Sequence, residues 1–504
     1  MKRSKELRLN MKEKYYITTA IDYVNAKPHI GHAYEKIIAD VLARWNRIKG
    51  KDVFYLTGTD ENAQKNAQAA EEAKKDVKKF VDENVKYFID LCKKLNLSND
   101  YFIRTTEKRH IKISQEIFSK VLKKGDIYKG TYEGLYCQGC EAFITEKELV
   151  NGKCPEHNKE PRYIKEENYF FKMSKYENQM LDLLSKPGFV FPDYRGKEMY
   201  NRVKEEGLKD LCVSRKGTNW GIELPNDKGY SIYVWFDALI NYISALDYPD
   251  GELYKKFWPA DAHLIGKGIN WFHSVIWPTM LMSAGIKLPK QIVVHGYLTV
   301  DGQKISKSLG NTIDPIKLVN KYGADPIRYV LIRDIPSGED GDFSEKILTE
   351  KINSELANGL GNLISRSLGM TEKYFEGRVP KGKNLIKFDL DKLNEHFDKI
   401  ELHLALAETW KYIDECNKFV EDKKPWVLAK ENDKELSDVI YSLLDSIRII
   451  SILINPFIPE TSEKINKKLG IKLGNYKDVK PNLLKQGIKV EKGESLFNKV
   501  EAEK

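Results

Sequence analysis

The sequence predicts an α/β chain in which a parallel-sheet domain is split by an insert and followed by an all-α bundle. Apolar, strand-like runs alternate with amphipathic helical patterns from Tyr15 to about Phe118, and the alternation resumes at Ser231. Three clustered cysteines lie between these two stretches. From about Lys346 to Leu469 the pattern is helical, with short connections. Alternation of strands and helices of this kind is typical of a Rossmann-like parallel sheet.

Size and composition restrict the class of protein. The chain has 504 residues, of which 41% are hydrophobic and 31% charged, and its net charge is +9. This permits an RNA or phosphate partner without requiring one. The first ten residues lack the apolar segment of a signal peptide, and the most apolar late run, 439–457, is interrupted by Asp445 and Arg448. Six cysteines in so long a chain are not a disulfide framework. We therefore expect a cytoplasmic protein that does not cross a membrane.

The first strand and first helix meet at Pro28-His29-Ile-Gly-His32. In an open α/β sheet nucleotides bind at this edge, over helix N-termini that favour phosphate. His29 and His32 are three residues apart and can face one ligand, while Gly31 leaves room for a flat base. The alternative is a pair of ordinary histidines on an exposed turn.

The next apolar run, 52–57, leads into Gly58-Thr-Asp-Glu61. Asp60 could bind an amine or a ribose at the end of a strand, or it could cap the helix predicted from Asn62 to Lys75. A third strand is predicted at 101–106.

The insert carries Cys137-Gln-Gly-Cys140 and Cys154-Pro-Glu-His157, two close pairs separated by residues 141–153. Three thiolates and one imidazole at this spacing can close a tetrahedron around zinc. All four ligands would come from the protein, so the zinc would be structural. The isolated Cys92, Cys212 and Cys416 are best explained as packed core residues.

In the second half of the sheet we predict a strand over 231–237 and a helix from Ala238 to Tyr242. Trp235, Ala238 and Tyr242 could line part of a pocket, although a tryptophan in such a run is more often a core residue. A strand, a glycine-bearing turn and a helix starting near Ile269 follow in 263–273, and 291–296 is a further strand.

A loop rich in glycine and serine contains Lys304-Ile-Ser306-Lys307-Ser308. Two lysines three apart in such a loop can fold over polyphosphate, although the pattern is also common in surface loops. The predicted organisation is a tail (1–14), a first half-domain (15–118), the zinc-bearing insert (119–230), a second half-domain (231–300), a lysine-loop region (301–345), the helical bundle (346–469) and a C-terminal tail (470–504) that packs back on the chain.

The two phosphate-handling loops on one split sheet domain resemble the signature pair of class I aminoacyl-tRNA synthetases. The resemblance narrows to the methionyl-tRNA synthetase family, and it extends from Tyr15 to about Leu469. It rests on Gly58-Thr-Asp-Glu61, Phe102-Ile-Arg-Thr-Thr106, the single zinc knuckle, Glu167-Asn-Tyr-Phe-Phe171, Tyr233-Val-Trp-Phe-Asp-Ala-Leu239, His263-Leu-Ile-Gly-Lys267 and Asn358-Gly-Leu-Gly-Asn-Leu-Ile-Ser-Arg366.

The resemblance implies roles for individual residues. The catalytic residues would be His29, His32, Lys304 and Lys307. These four would also bind ATP and its Mg²⁺, together with Gly31, Ser306 and Ser308. The methionine side chain would lie among Ala20, Ile21, Tyr23, Trp235, Ala238, Tyr242, Ile269 and His273, with Asp60 holding its ammonium group. The anticodon would be read by Asn362, Arg366 and Trp426, and zinc would be held by Cys137, Cys140, Cys154 and His157.

Two positions depart from the family pattern. Asn62-Ala63 stands where the family usually has His-Gly, and Gly268 replaces a common Asp that lies near an Arg, which we match to Arg215. The β-barrel domain that makes the family's dimer is not seen after the bundle, so we expect a monomer.

The expected activity is ATP-dependent joining of L-methionine to tRNA(Met), initiator and elongator, through methionyl-adenylate. One alternative is another class I synthetase, of the leucyl, valyl or cysteinyl type. The short insert argues against an editing domain, and the zinc spacing lies in the insert and not in the pocket. The other alternative is a non-catalytic tRNA-binding protein on the same fold. The retained histidines and lysines argue against it.

Overall fold

The structure is a computed structural model that describes residues 12–137, 142–155, 158–217, 219–300, 302–304 and 312–501. Its strands are β1 (Lys14–Thr19), β2 (Asp22–Tyr23), β3 (Asp52–Asp60), β4 (Tyr101–Arg104), β5 (Ile127–Cys137), β6 (Ala142–Ile144), β7 (Arg162–Phe171), β8 (Val190–Phe191), β9 (Leu211–Cys212), β10 (Ser214–Lys216), β11 (Tyr230–Ile232), β12 (Ala262–Gly266), β13 (Ile292–His295), β14 (Leu298–Val300), β15 (Gln303–Lys304) and β16 (Gly341–Phe343).

Helices flank the strands and make up most of the second half of the chain. They are α1 (Ile30–Ile48), α2 (Gln64–Glu72), α3 (Val77–Lys94), α4 (Lys108–Lys123), α5 (Glu177–Leu184), α6 (Asp193–Glu206), α7 (Val234–Leu239), α8 (Asn241–Ser244), α9 (Glu252–Phe257), α10 (Trp277–Ala284), α11 (Pro315–Tyr322), α12 (Ala324–Arg333), α13 (Glu345–Lys351), α14 (Asn362–Phe375), α15 (Leu390–Asp398), α16 (Leu402–Lys423), α17 (Pro425–Glu431), α18 (Glu435–Ile454) and α19 (Pro459–Leu469). Wider π-helical segments precede α10 and α14, at Phe272–Ile276 and Ile352–Gly361.

The central sheet is parallel and confirms the predicted fold class. Its strands follow the order β4-β3-β1-β12-β13-β8, and β2 continues beside the end of β3. β1 is rich in aromatic and β-branched residues, and its last four residues are buried, as expected for a strand covered on both faces. The strands that follow β1 in sequence, β3 and β4, lie on one side of it. The later strands β12 and β13 lie on its other side. The order therefore reverses between β1 and β12.

The first helix begins where the sequence predicts, at Ile30, whereas the prediction of a strand over 231–237 is wrong. β11 ends at Ile232 and α7 begins at Val234, so Trp235 lies on a helix. All six residues of α7 are buried. A helix that is buried on every side shows no amphipathic period, and its aromatic and β-branched residues favour a strand by propensity alone.

The region between the two halves of the sheet forms a separate antiparallel sheet, β6-β5-β7-β9. Within the same stretch, β8 pairs with β13 and so extends the central sheet. The hairpin β14–β15 and strand β16 make a small separate sheet, which includes Lys304.

The C-terminal part of the chain forms the predicted helical bundle. The helical pattern is interrupted between α15 and α16, where Ile400 takes a positive φ of 57°. One continuous apolar core runs from α1 into the bundle helices and includes Val479, Leu484 and Val490 of the tail. In the part of the chain that the structure describes, no helix combines the length and apolar character needed to span a bilayer.

Candidate active site

The candidate site lies at the carboxyl ends of β1 and β12, where the strand order reverses. Loops that leave neighbouring parallel strands in opposite directions open a crevice at such a point, and ligands bind in it. The segment after β1 leads to α1, the end of β3 supplies Asp60, and the ends of β12 and β13 supply Gly266 and His295.

His29 and His32 cap α1 reciprocally. Nδ1 of His29 accepts a hydrogen bond from the backbone N–H of Gly31 at 3.1 Å, and the backbone N–H of His29 donates to Nδ1 of His32 at 3.0 Å. Since both Nδ1 atoms accept, each neutral ring carries its proton on Nε2. The ring centroids are 3.9 Å apart. Two imidazole N–H donors at a helix N-terminus suit an anionic phosphate.

Burial is the main reason why His32 is neutral, and a charged pair lies beneath it. Burial, followed by the nearby charge of Lys36, lowers the pKa of His32 to about 3. The Lys36 side chain is fully buried and forms an ion pair with Asp22, whose other carboxylate oxygen lies 3.9 Å from Nε2 of His32. At neutral pH His32 can therefore donate a hydrogen bond but does not act as an acid.

A cavity of about 270 Å³ opens beside the two histidines. His295, on its wall, is hydrogen-bonded through Nδ1 to the Gly296 carbonyl at 2.7 Å and through Nε2 to Glu35 at 3.1 Å. The sequence did not single out this histidine, and its contacts join residues that are distant along the chain. The cavity is lined by Asp22, His29, Gly31, His32, Tyr34, Glu35, Gly266, His295, Gly296, Tyr297 and Leu298.

Four of the proposed methionine residues form one aromatic cluster, namely Tyr23, Trp235, Tyr242 and His273. The ring of Trp235 is 6.5 Å from that of Tyr23 and 6.3 Å from that of His273. Asp60, which is 2% exposed, is paired in register with Tyr23. Of the remaining candidates, Ala20 and Ile21 link β1 to β2, Ala238 lies on α7 with Trp235, and Ile269 ends the turn after β12.

Hydrogen bonds fix the protons around Tyr242. Nδ1 of His273 lies 3.0 Å from the carbonyl of Ile269 and must donate to it, so Nε2 accepts from the Tyr242 hydroxyl at 2.7 Å. Burial lowers the pKa of His273 to about 4. Two residues missed by the sequence reasoning complete the walls: Phe272 stacks on Trp235 at 3.7 Å, and His263 stacks on Tyr242 at 4.1 Å.

Asn62, the first departure from the family pattern, is a buried link between two parts of the site. Its Nδ2 donates to Asp237 at 2.8 Å and to the Thr105 carbonyl at 3.2 Å. Asp237, on α7, also contacts Nε2 of His110 at 2.5 Å. Asn62 therefore ties the end of β3 to the helix that carries Trp235.

Gly268, the second departure, is in close contact with Tyr297. A Cβ atom added at Gly268 would lie 2.0 Å from the Tyr297 hydroxyl oxygen, so the tyrosine occupies the space of a larger side chain. Arg215 is buried between the rings of Tyr136 and Tyr233, at 5.0 and 4.4 Å from their centroids.

The structure describes the lysine loop and the zinc ligands only in part. Lys304 closes strand β15, whereas Ser306, Lys307 and Ser308 lie outside the described residues. Cys137 and Cys154 are buried and are not joined in a disulfide. The other two predicted ligands, Cys140 and His157, also lie outside the described residues.

The three proposed anticodon residues lie on the bundle. The Arg366 guanidinium is 5.8 Å from the ring centroid of Trp426 and forms an ion pair with Glu421 at 2.7 Å. Asn362 is one helical turn before Arg366 on α14, so both can face the same ligand. The Trp426 side chain is 36% exposed, which leaves a face on which a base can stack.

Comparison with known proteins agrees with this architecture. A family model described as "tRNA synthetases class I (M)" matches residues 15–166 and 148–368, and "Anticodon binding domain of methionyl tRNA ligase" matches 381–504. Methionine–tRNA ligases of Caldanaerobacter subterraneus subsp. tengcongensis and Thermotoga maritima are each 47% identical to the chain. The first alignment covers 98% of this chain and 80% of the relative, and the second covers 97% and 81%.

A solved structure is equally similar in fold. Methionyl-tRNA synthetase of Mycobacterium tuberculosis in complex with methionyl-adenylate superposes with a TM-score of 0.92 at 39% identity, over 96% of this chain and 99% of that one.

Proposed function

The chain belongs to the methionine–tRNA ligase family of class I synthetases, and we propose that it joins L-methionine to tRNA through methionyl-adenylate with the residues described above. The observation that carries this proposal is the histidine pair that caps α1 beside the cavity. Its support from the amino-acid side is the cluster of Tyr23, Trp235 and His273, whose aromatic rings suit a thioether side chain. Methionine-dependent exchange of pyrophosphate into ATP tests it, with leucine, valine and cysteine alongside. Exchange with methionine alone is expected. No exchange with any of them in a folded, zinc-loaded protein would favour a tRNA-binding protein.

Adenylation needs positioning and charge stabilisation, and no covalent intermediate with the enzyme. A carboxylate oxygen of methionine attacks the α-phosphorus in line, and the bond from that phosphorus to the leaving pyrophosphate breaks. Nε2–H of His29 and of His32 would donate to phosphate oxygens as negative charge develops on them. Lys304 and Lys307 would neutralise the departing pyrophosphate.

Two observations favour methionine as the amino acid. The pocket is built from aromatic rings, which suit a flexible and polarizable thioether. Its polar groups, Tyr242 and His273, are neutral and hydrogen-bonded to each other, so a charged side chain would find no counter-ion in this pair. Asp60 would hold the ammonium group of the substrate.

Mg²⁺ would enter with ATP. Among the described residues no group of three or more His, Cys, Asp or Glu side chains could hold a metal ion by itself, and Mg²⁺ is commonly bound through substrate phosphates. It would supply charge neutralisation at the phosphates.

A structural zinc ion would hold the insert together. The buried thiols of Cys137 and Cys154 fit such a site, and Cys140 and His157 would complete a set of four protein ligands. Metal analysis of the purified protein tests this, and one zinc per chain is expected. Cys154→Ser should lower the zinc content and destabilise the insert.

In the second step the 3′-terminal adenosine of tRNA(Met) would take the methionyl group, and AMP would leave. Asn362, Arg366 and Trp426 would read the CAU anticodon on the bundle, with initiator and elongator tRNA both as substrates. We further propose that the enzyme acts as a monomer in the cytoplasm. We also propose that its domains have the boundaries predicted from the sequence.

A further inference from the structure

Arg328, on α12, is a fully buried arginine that connects three parts of the chain. Its Nη2 lies 2.7 Å from an Asp40 carboxylate oxygen on α1. The same guanidinium donates to the carbonyl oxygens of Phe457 at 2.7 Å, Pro456 at 2.8 Å and Leu95 at 3.2 Å. A planar guanidinium can hold four oxygens in fixed directions, which an ammonium group cannot do.

The carboxylate partner lies on the helix that carries the phosphate-binding histidines. Asp40 is eleven residues after His29, about 16 Å along α1 at the usual helical rise. Burial would raise the pKa of Asp40, but the charges of Arg328 and Arg44 outweigh it and lower the pKa. The ionised carboxylate also accepts from the Ser98 backbone N–H at 2.6 Å.

The carbonyl partners lie at one end of a bundle helix whose other end adjoins the anticodon residues. Pro456 and Phe457 follow α18 directly, whereas Trp426 lies on α17, just before α18 begins. A helix of 20 residues spans about 30 Å. Arg328 therefore joins α1, which leads to the nucleotide cavity, to the end of α18, whose other end adjoins the anticodon residues.

A second contact between α1 and the bundle lies one turn further on. Trp45 stacks on Phe397 of α15 with ring centroids 4.2 Å apart and planes at 9°. Lys49 lies 3.6 Å from the Asp398 carboxylate. The bundle is therefore attached to α1 at two separate points along the helix.

We propose that Arg328 is a positioning residue that fixes the bundle relative to α1, so that a tRNA held by its anticodon delivers its 3′ end to the adenylate. This inference rests on the proposed function. It concerns only the tRNA step, because every residue proposed to bind methionine or ATP lies outside the bundle, on the central sheet, its flanking helices or the lysine loop. Loss of the contact should impair aminoacylation and leave adenylation intact.

Arg328→Lys tests the inference, since lysine keeps the charge beside Asp40 but cannot contact all three carbonyl oxygens. We expect kcat/KM for tRNA in aminoacylation to fall about tenfold, because small misplacements of a reacting group have effects of this size. Methionine-dependent ATP–pyrophosphate exchange should stay within twofold of the unmodified protein.

Arg47→Lys is the matched control. Arg47 lies on α1, the helix that carries Asp40. Its guanidinium likewise binds a carboxylate, Asp100, and a carbonyl, Ser98, but these partners lie within the sheet domain. It should change both activities little. If Arg328→Lys acted only by disturbing the structure, it would lower pyrophosphate exchange and aminoacylation in the same proportion. Either such a parallel loss or no change in either activity would overturn the inference.

Phe397→Leu gives a second test in case Arg328→Lys does not fold. It keeps an apolar residue in the core but removes the stack on Trp45, and we expect a threefold loss in aminoacylation with exchange unchanged. Equal losses in both, or none, would again count against the inference. Absence of exchange in the unmodified protein would instead refute the proposed function.

Discussion

The substitution Asn62→Asp offers the sharpest test of the site. Asn62 donates a hydrogen bond to the carboxylate of Asp237, which is 1% exposed. Aspartate has the same size but removes this donor and places a second carboxyl group beside the first. Two carboxylates about 4 Å apart repel by about 4 kcal/mol at an effective dielectric constant of about 20. The lost hydrogen bond to a charged acceptor adds about 1.5–3 kcal/mol.

The protein can relieve this repulsion by retaining one proton, which means that the pKa of one carboxyl in the variant is raised. The folded state then binds a proton that the unfolded chain releases above about pH 4. The free energy of unfolding must therefore decrease as the pH rises. Asn62→Ala removes only the hydrogen bond, so its loss of about 1–3 kcal/mol should not depend on pH.

The assay is thermal unfolding of both variants from pH 5 to pH 8.5, with KM values from ATP–pyrophosphate exchange. We expect the aspartate variant to approach the alanine variant at pH 5 and to unfold at a clearly lower temperature at pH 8. The KM for methionine should rise in both variants and that for ATP should not, because Asn62 joins Asp60 to the helix of Trp235. Parallel unfolding curves at every pH would refute the reasoning.

Three further predictions concern the proposed ATP-binding and methionine-binding residues. Lys307→Ala should slow adenylate formation much more than it weakens methionine binding, and pre-steady-state kinetics showing the reverse would contradict the assigned role. Tyr242→Phe leaves Nε2 of His273 without its donor, so the KM for methionine should rise about fivefold, equivalent to about 1 kcal/mol, with the KM for ATP unchanged. Because burial lowers the pKa of His273 to about 4, its neutral form stabilises the fold fully above pH 6.5, and this contribution is lost as the pH falls toward 4. His273→Gln should flatten that part of the curve of unfolding temperature against pH, and an unchanged slope would count against it.

Much of the fold and part of the site follow from local sequence. His29 starts α1 because its ring and that of His32 satisfy backbone N–H groups within one turn, and such contacts depend only on neighbouring residues. Strand β13 and the helical character of the bundle were predicted from hydrophobic patterns, which are local as well. The spacing of Cys137 and Cys154 from the other two proposed ligands, Cys140 and His157, is also a local property. The zinc ion at these four residues stays a prediction.

The remaining features depend on residues that are far apart in the chain. Helix α7 was predicted as a strand because a segment buried on every side has no hydrophobic period. Nothing near Asn62 in sequence indicates that it binds Asp237, and nothing near Arg328 indicates that it joins Asp40 to the end of α18. The sequence by itself determined which chemical groups this protein carries and where its strands and helices meet. Only the tertiary structure decided which of these groups are buried together, because a buried polar group must find partners wherever packing places them.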